Sequence, residues 1–173
     1  DGDGGGGTSS QTINLDPGWN LVSARIGPSD ASLESVLENV LANILLVKDE
    51  DGQIFSPSDG INQIGAWSAE QAYLIYADAE ASFTLEGEET DPSTTAIALE
   101  QGWNLMPFLG ASPHPVEDAL APIADELVMV KDGDGNIYYP ASGINAIEEM
   151  EPGKGYKIYL SSEATFSYPS SVE

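Results

Sequence analysis

The chain has 173 residues, and 29 Asp and Glu face only five Lys and Arg, for a formal charge of −24. That charge repels phosphate backbones and anionic headgroups, so recognition of nucleic acid or lipid through a basic footprint is excluded. Cysteine is absent, which excludes disulfides and thiolate zinc sites, and no apolar run approaches the roughly 20 residues of a membrane span.

Residues 1–10 begin Asp1-Gly2-Asp3-Gly4-Gly5-Gly6-Gly7 and have the composition of a flexible linker, as at a processed terminus or a junction between modules. Asp1 and Asp3 invite a calcium reading, but the four glycines that follow add no ligand side chains. Thr12 to Leu15 alternates as a strand, Pro17-Gly18 is a turn, and Trp19 to Ala24 reads as a second strand. Beyond Ser29-Asp30-Ala31-Ser32, the apolar residues Leu33, Val36, Leu37, Val40, Leu41 and Ile44 recur at spacings of three and four, which predicts one amphipathic helix. Leu45 to Asp49 and Gln53 to Ser56 then form a predicted hairpin around Glu50-Asp51-Gly52, because glycine after aspartate accepts the positive φ of a tight turn. A loop holding Pro57, Gly60 and Asn62 leads to two further strands, Ala72 to Ala77 and Ser82 to Leu85.

The same order then returns. Gly18-Trp19-Asn20-Leu21 comes back as Gly102-Trp103-Asn104-Leu105, 84 residues on, and Lys48-Asp49 comes back as Lys131-Asp132, 83 residues on. Pro57, Gly60, Ile61 and Asn62 match Pro140, Gly143, Ile144 and Asn145, while Tyr73, Ile75, Tyr76 and Phe83 fall on Tyr156, Ile158, Tyr159 and Phe166. A period this long indicates duplicated small domains rather than a solenoid. The expected fold class is therefore α+β and predominantly β, with two tandem homologous domains of about five or six strands and one helix each. Residues 11–86 are the first domain and 96–173 the second, joined by an acidic linker over 87–95. Pro115 suits the first turn of the second helix and Pro122 should shorten or kink it.

Gly18-Trp19-Asn20-Leu21-Val22-Ser23 and Pro152-Gly153-Lys154-Gly155-Tyr156 together resemble a loosely defined module of secreted and surface proteins of bacteria and archaea. That module is marked by Gly-Trp-Asn-Leu-Ile/Val-Ser early and Pro-Gly-Lys-Gly-Tyr-Trp late. Met106-Pro107 in the second copy, Lys157 in place of the last Trp, and Ala69-Glu70-Gln71-Ala72 in the first copy depart from the pattern. The resemblance implies an extracellular or cell-surface accessory role and carries over no catalytic residue.

A search for chemistry gives the same expectation of a protein that is not an enzyme. His114 is the only histidine and is flanked by prolines, without a Gly-x-Ser-x-Gly elbow or a phosphate-binding glycine loop elsewhere. An EF-hand reading of the hairpin fails: with Gly52 or Gly135 in the sixth position, the first ligand would be Val47 or Val130 and the twelfth Ser58 or Ala141. No cofactor is required, and Asp132 and Asp134 are the candidates for a weakly held surface calcium.

Aromatic side chains are the remaining candidates. Trp19 and Trp103 hold equivalent positions and are expected in the structural core. Trp67, whose counterpart is Met150, lies in a divergent loop and is a candidate to stack on a sugar or anchor a protein contact. In Tyr156-Lys157-Ile158-Tyr159-Leu160 the lysine marks the wet face, which turns Tyr159 and its equivalent Tyr76 outward; Tyr139 is expected to join them. Two function classes follow. The preferred expectation is a non-catalytic surface structural protein, an adhesin segment or fibre subunit that associates with itself or with other surface proteins. The alternative is a carbohydrate-binding accessory module that takes polysaccharide.

Overall fold

The computed structural model describes residues 7–173, so Asp1 and Asp3 lie outside the described residues. The N-terminal half contributes β1 (Ser9–Leu15), β2 (Gly18–Val22), β3 (Ile26–Pro28), α1 (Leu33–Val36), β4 (Ile44–Lys48), β5 (Ile54–Ser56), β6 (Ile61–Asn62), β7 (Tyr73–Ala77) and β8 (Ala81–Glu89). The C-terminal half contributes β9 (Ile97–Leu99), β10 (Gly102–Pro107), β11 (His114–Pro115), α2 (Val116–Ala119), β12 (Leu127–Lys131), β13 (Ile137–Tyr139), β14 (Ile144–Asn145), β15 (Glu149–Met150), β16 (Gly155–Leu160) and β17 (Ala164–Phe166). The protein is β-rich, with several antiparallel sheets and two short α-helices.

Two five-stranded sheets dominate. Their orders, β2-β7-β4-β5-β6 and β10-β16-β12-β13-β14, correspond strand for strand, and each has an irregular register at the same place, between Ile44 and Leu46 and between Leu127 and Met129. β1 pairs with β8 as β9 pairs with β17, and the isolated bridge Ser32–Ala66 corresponds to the β11–β15 pair. Each half has its own apolar cluster. One is built around Leu33, Leu37, Val47, Tyr73 and Ile75, and the other around Val116, Leu120, Val130, Tyr156 and Ile158.

The hairpin turns form as their Asp-Gly signals require, with Gly52 at φ 80° and Gly135 at φ 88°. The predicted long helices do not form. Only four residues of each are α-helical, a 3-10 turn follows, and Val40 at φ −124° interrupts the first run. The apolar stripe is still buried, because periodicity reports which residues face the core and not how the backbone bonds. Pro122 is not the cause of the short second helix, since the first is equally short without a proline. The expected count of five or six strands per half is exceeded, as short edge strands and bridges add to the main sheets.

The expected linkers are also shorter than their composition suggests. Ser9 and Ser10 belong to β1, and β8 continues through Gly87, Glu88 and Glu89, where it pairs with β3. The Gly27 carbonyl lies against Gly87 so closely that no Cβ fits, which is why this stretch reads as flexible yet is held in a sheet. Past the strand, Thr90 N donates to Arg25 O at 2.8 Å and Pro92 O accepts from Tyr168 N at 3.2 Å, so the connection is tied to both halves.

The halves also meet reciprocally. The β4–β5 turn reaches the other half through Glu50, whose Oε1 accepts from Leu105 N at 3.3 Å. The equivalent Gly133 of the β12–β13 turn lies against Leu21, the counterpart of Leu105. Between these contacts Gly155 lies against Ala72, its own counterpart. Ser23, fully buried, donates from Oγ to Lys154 O at 2.6 Å and accepts there from Phe108 N at 3.0 Å.

Candidate functional site

The repeated Gly-Trp-Asn segment makes a tight turn followed by a strand. Gly18 and Gly102 adopt φ 96° and 94°, a region that disfavours any side chain. Asn104 Nδ2 donates to Glu100 O at 2.8 Å while its Oδ1 accepts from Glu100 N at 2.8 Å; Asn20 does the same with Asp16, at 2.9 Å each way. The asparagine therefore turns back to hold the loop. Because side chains alternate along a strand, its neighbour the tryptophan turns outward.

This reverses the expected roles of the tryptophans. Trp19 is 48% exposed and Trp103 50%, so neither belongs to the core. Trp67 is only 4% exposed, with its ring 4.4 Å from Tyr73 and 5.8 Å from Phe83. Its backbone N donates to Ala31 O at 2.7 Å, which fixes the segment over the core and removes Trp67 from the candidate ligand contacts. Its counterpart Met150 is fully buried in the same position.

The outward tyrosines stand where alternation places them. Tyr76 meets Trp19 edge to face at 5.1 Å and 77°, and Tyr159 meets Trp103 at 5.1 Å and 76°. Lys48 Nζ lies 5.4 Å from the Trp19 ring and Lys131 Nζ 5.4 Å from the Trp103 ring. Such ammonium–ring contacts are electrostatic attractions to the π face. Tyr139 is half-buried at the end of β13, paired with Ile144, and enters neither aromatic pair.

An open depression of about 390 Å³ adjoins each tryptophan, within the ~300–1,000 Å³ span of small-ligand sites. The first is lined by Trp19, Leu21, Lys48, Leu74, Lys157 and Gly133, and the second by Trp103, Asn104, Leu105, Lys131, Lys157 and Glu50. Lys157 belongs to both. Among the described residues two ion pairs form, Arg25–Glu89 at 3.6 Å and Lys154–Glu151 at 2.6 Å. All three remaining cations, Lys48, Lys131 and Lys157, stand on this aromatic face.

No family model, curated protein or solved structure matches the chain. The arrangement therefore has to be read from its own chemistry. An exposed indole offers a flat apolar surface, and each indole here has an ammonium beside it and a tyrosine ring packed edge to face against it. Burial pushes the Glu50 carboxyl above its ordinary range; the Leu105 amide opposes this, and Asp51, Glu100 and Asp49 add to it.

Of the two acidic candidates, the Asp132 carboxylate serves its own loop, and Asp134 contributes its backbone N–H to it. Asp132 accepts from Asp134 N at 2.9 Å, from Asn136 N at 2.8 Å and from Asn136 Nδ2 at 2.8 Å, and among the described residues no group of three or more His, Cys, Asp or Glu is gathered as for a metal. His114 pairs through β11 with Met150, and its Nε2 is buried without a hydrogen-bond partner among the described residues. Two tyrosines of the late motif hold turns instead of ligands. Tyr73 Oη accepts from Ser68 N at 2.9 Å and Tyr156 Oη from Glu151 N at 2.7 Å; burial pushes the Tyr73 hydroxyl up to about 12.

The residues that sequence reasoning missed are the lysines. The signal was present: Lys48 and Lys131 are equivalent in the repeat, and Lys157 had already marked the wet face of its strand. Equivalence in the repeat, the ground for expecting Trp19 and Trp103 in the core, shows a shared role without showing which face of the strand it is on, and the Gly-Trp-Asn-Leu segment holds no charged residue to mark the wet one.

Proposed function

We propose that this chain is a non-catalytic carbohydrate-binding accessory module of the cell exterior, built from two tandem copies of one β-rich unit. One observation carries the reading: a Trp–Tyr–Lys arrangement of the same geometry occurs twice, each time with half the indole open to solvent beside a depression of ligand size. Pyranose rings present apolar C–H faces that stack on such a surface, and hydroxyls that the lysine ammoniums lining each depression can bond. The setting outside the cell rests on the resemblance of Gly18 to Ser23 and Pro152 to Tyr156 to surface modules, together with acidity in both halves. Binding to an array of soluble oligosaccharides, followed by calorimetry, tests it. Trp19→Ala and Trp103→Ala should each weaken binding at least ten-fold, and Trp67→Phe should leave it unchanged; binding that survives the double variant refutes the site.

A second reading, a fibre or adhesin subunit, is favoured by Ile61 and Ile144. They are 37% and 43% exposed at equivalent positions on the outermost strands, β6 and β14, where sheet edges are free to pair with another copy. Sedimentation of the same samples separates the readings, since edge pairing produces assemblies that Ile61→Lys with Ile144→Lys would dissolve.

A further inference from the structure

The two depressions are built alike but do not carry the same charge. At the position where the second has Glu50, supplied by the turn of the other half, the first has Gly133, with no side chain. Glu50 therefore places a carboxylate in the depression that holds Lys131 and Lys157. The Trp19 depression holds Lys48 and Lys157 with no carboxylate among its lining residues. The nearest acids on that turn are Asp132 and Asp134. Neither lines the depression: Asp132 accepts from Asn136 and the Asp134 amide within its own loop, and Lys154 is paired with Glu151.

We infer that the Trp19 depression is a selective site for an acidic sugar, a uronate whose ring stacks on Trp19 and whose carboxylate lies between Lys48 and Lys157. The inference rests on the carbohydrate reading above and names the class of sugar. On a surface with a formal charge of −24, an anionic ligand is repelled almost everywhere, so a place lined by two ammoniums that form no ion pair among the described residues, and by no acid, gives discrimination as well as attraction. Glu50 makes the Trp103 depression indifferent to charge, or suited to a neutral residue of the same chain. A polysaccharide crossing both would place acidic and neutral units in a defined order, with Lys157 at the junction.

The occupant of the Gly133 position decides the outcome. A Cβ there meets Leu21 Cβ at 3.4 Å, ordinary contact, so a side chain is accommodated. Calorimetry of the full chain is run against galacturonate, mannuronate and glucuronate trisaccharides and against their methyl esters, which keep the ring and remove the charge. The native protein should bind at least one free acid about ten-fold more tightly than its ester, as expected for one added close charge pair near a protein surface, and the preference should shrink in high salt. Gly133→Glu should abolish the preference while Gly133→Gln, of the same size, keeps it. Glu50→Gln should raise the stoichiometry for the acid from one to two. Equal affinity for acid and ester, lost in Trp19→Ala, overturns the charge selection and leaves the carbohydrate reading standing. Absence of binding to acids, esters and neutral oligosaccharides alike overturns both.

Discussion

The N-terminal and C-terminal halves share strand order, turn glycines and the pinning asparagine, yet differ where they touch one another. Ser23 bonds across to Lys154 and Phe108, whereas its counterpart Pro107 offers only its carbonyl, to Tyr168 Oη at 2.6 Å. Glu50 faces Leu105, whereas Gly133 faces Leu21. Leu74 lines one depression, whereas its counterpart Lys157 lies between the two. Positions that shape each half tolerate little change, because a turn needing positive φ or an inward strand residue has few substitutes. Positions at the seam are free to diverge, and there the duplicated face acquires two different characters.

The first way to sharpen this comparison is to exchange the roles of the tryptophans. Trp67→Ala should cost about 3–5 kcal/mol in urea denaturation, as for other buried aromatics. Trp19→Ala should cost about 1–2 kcal/mol, since a half-exposed ring, its edge contact with Tyr76 and the Lys48 ammonium over it are lost. Equal costs would mean that the outward tryptophans also support the core.

Next in size is Ser23→Ala. Its hydroxyl is both donor and acceptor between the halves, so removal leaves the Phe108 amide and the Lys154 carbonyl without that partner, at about 1–3 kcal/mol. Two calorimetric transitions should replace one as the halves uncouple. A single transition with native midpoint would show that the remaining seam contacts suffice.

The smallest effect is that of Glu50→Gln, and its sign depends on pH. Glu50's pKa is raised in the folded state, so the folded protein binds that proton more tightly than the unfolded chain does. Its ionisation therefore detracts from stability once pH rises above the ordinary value of 4.5. Removing the charge should stabilise the protein modestly at pH 7, and the gain should fade as pH falls through 4.5. Thermal melts from pH 3.5 to 7 read this directly; a loss of stability at pH 7 would show that the carboxylate is held by its neighbours instead.

Much of the architecture was legible in single residues. The Asp-Gly hairpins, the turn before Trp19 and the inward and outward faces of Tyr156 to Leu160 follow from φ preferences and period-two alternation, and the structure has them as expected. Tyr76 and Tyr159 turn outward, the face that Lys157 marks in the sequence. Trp19 and Trp103 pair across the strands with those same tyrosines, so the correct face for one implied the face for the other; strand pairing was the missing step. Trp67 departs from its expected exposure for a related reason. A loop composition does not show that the loop is folded back over Tyr73 and Phe83.

Local chemistry in the chain thus settled where it turns, which strands alternate and that the pattern occurs twice. Whether an aromatic residue is wet or dry was decided only in three dimensions, as was the meeting of Glu50 with Leu105, 55 residues away, and of Ser23 with Lys154, 131 residues away. Burial and charge pairing are properties of neighbours in space. Periodicity constrains one strand at a time, and the meeting of a turn with a strand of the other half lies beyond its reach.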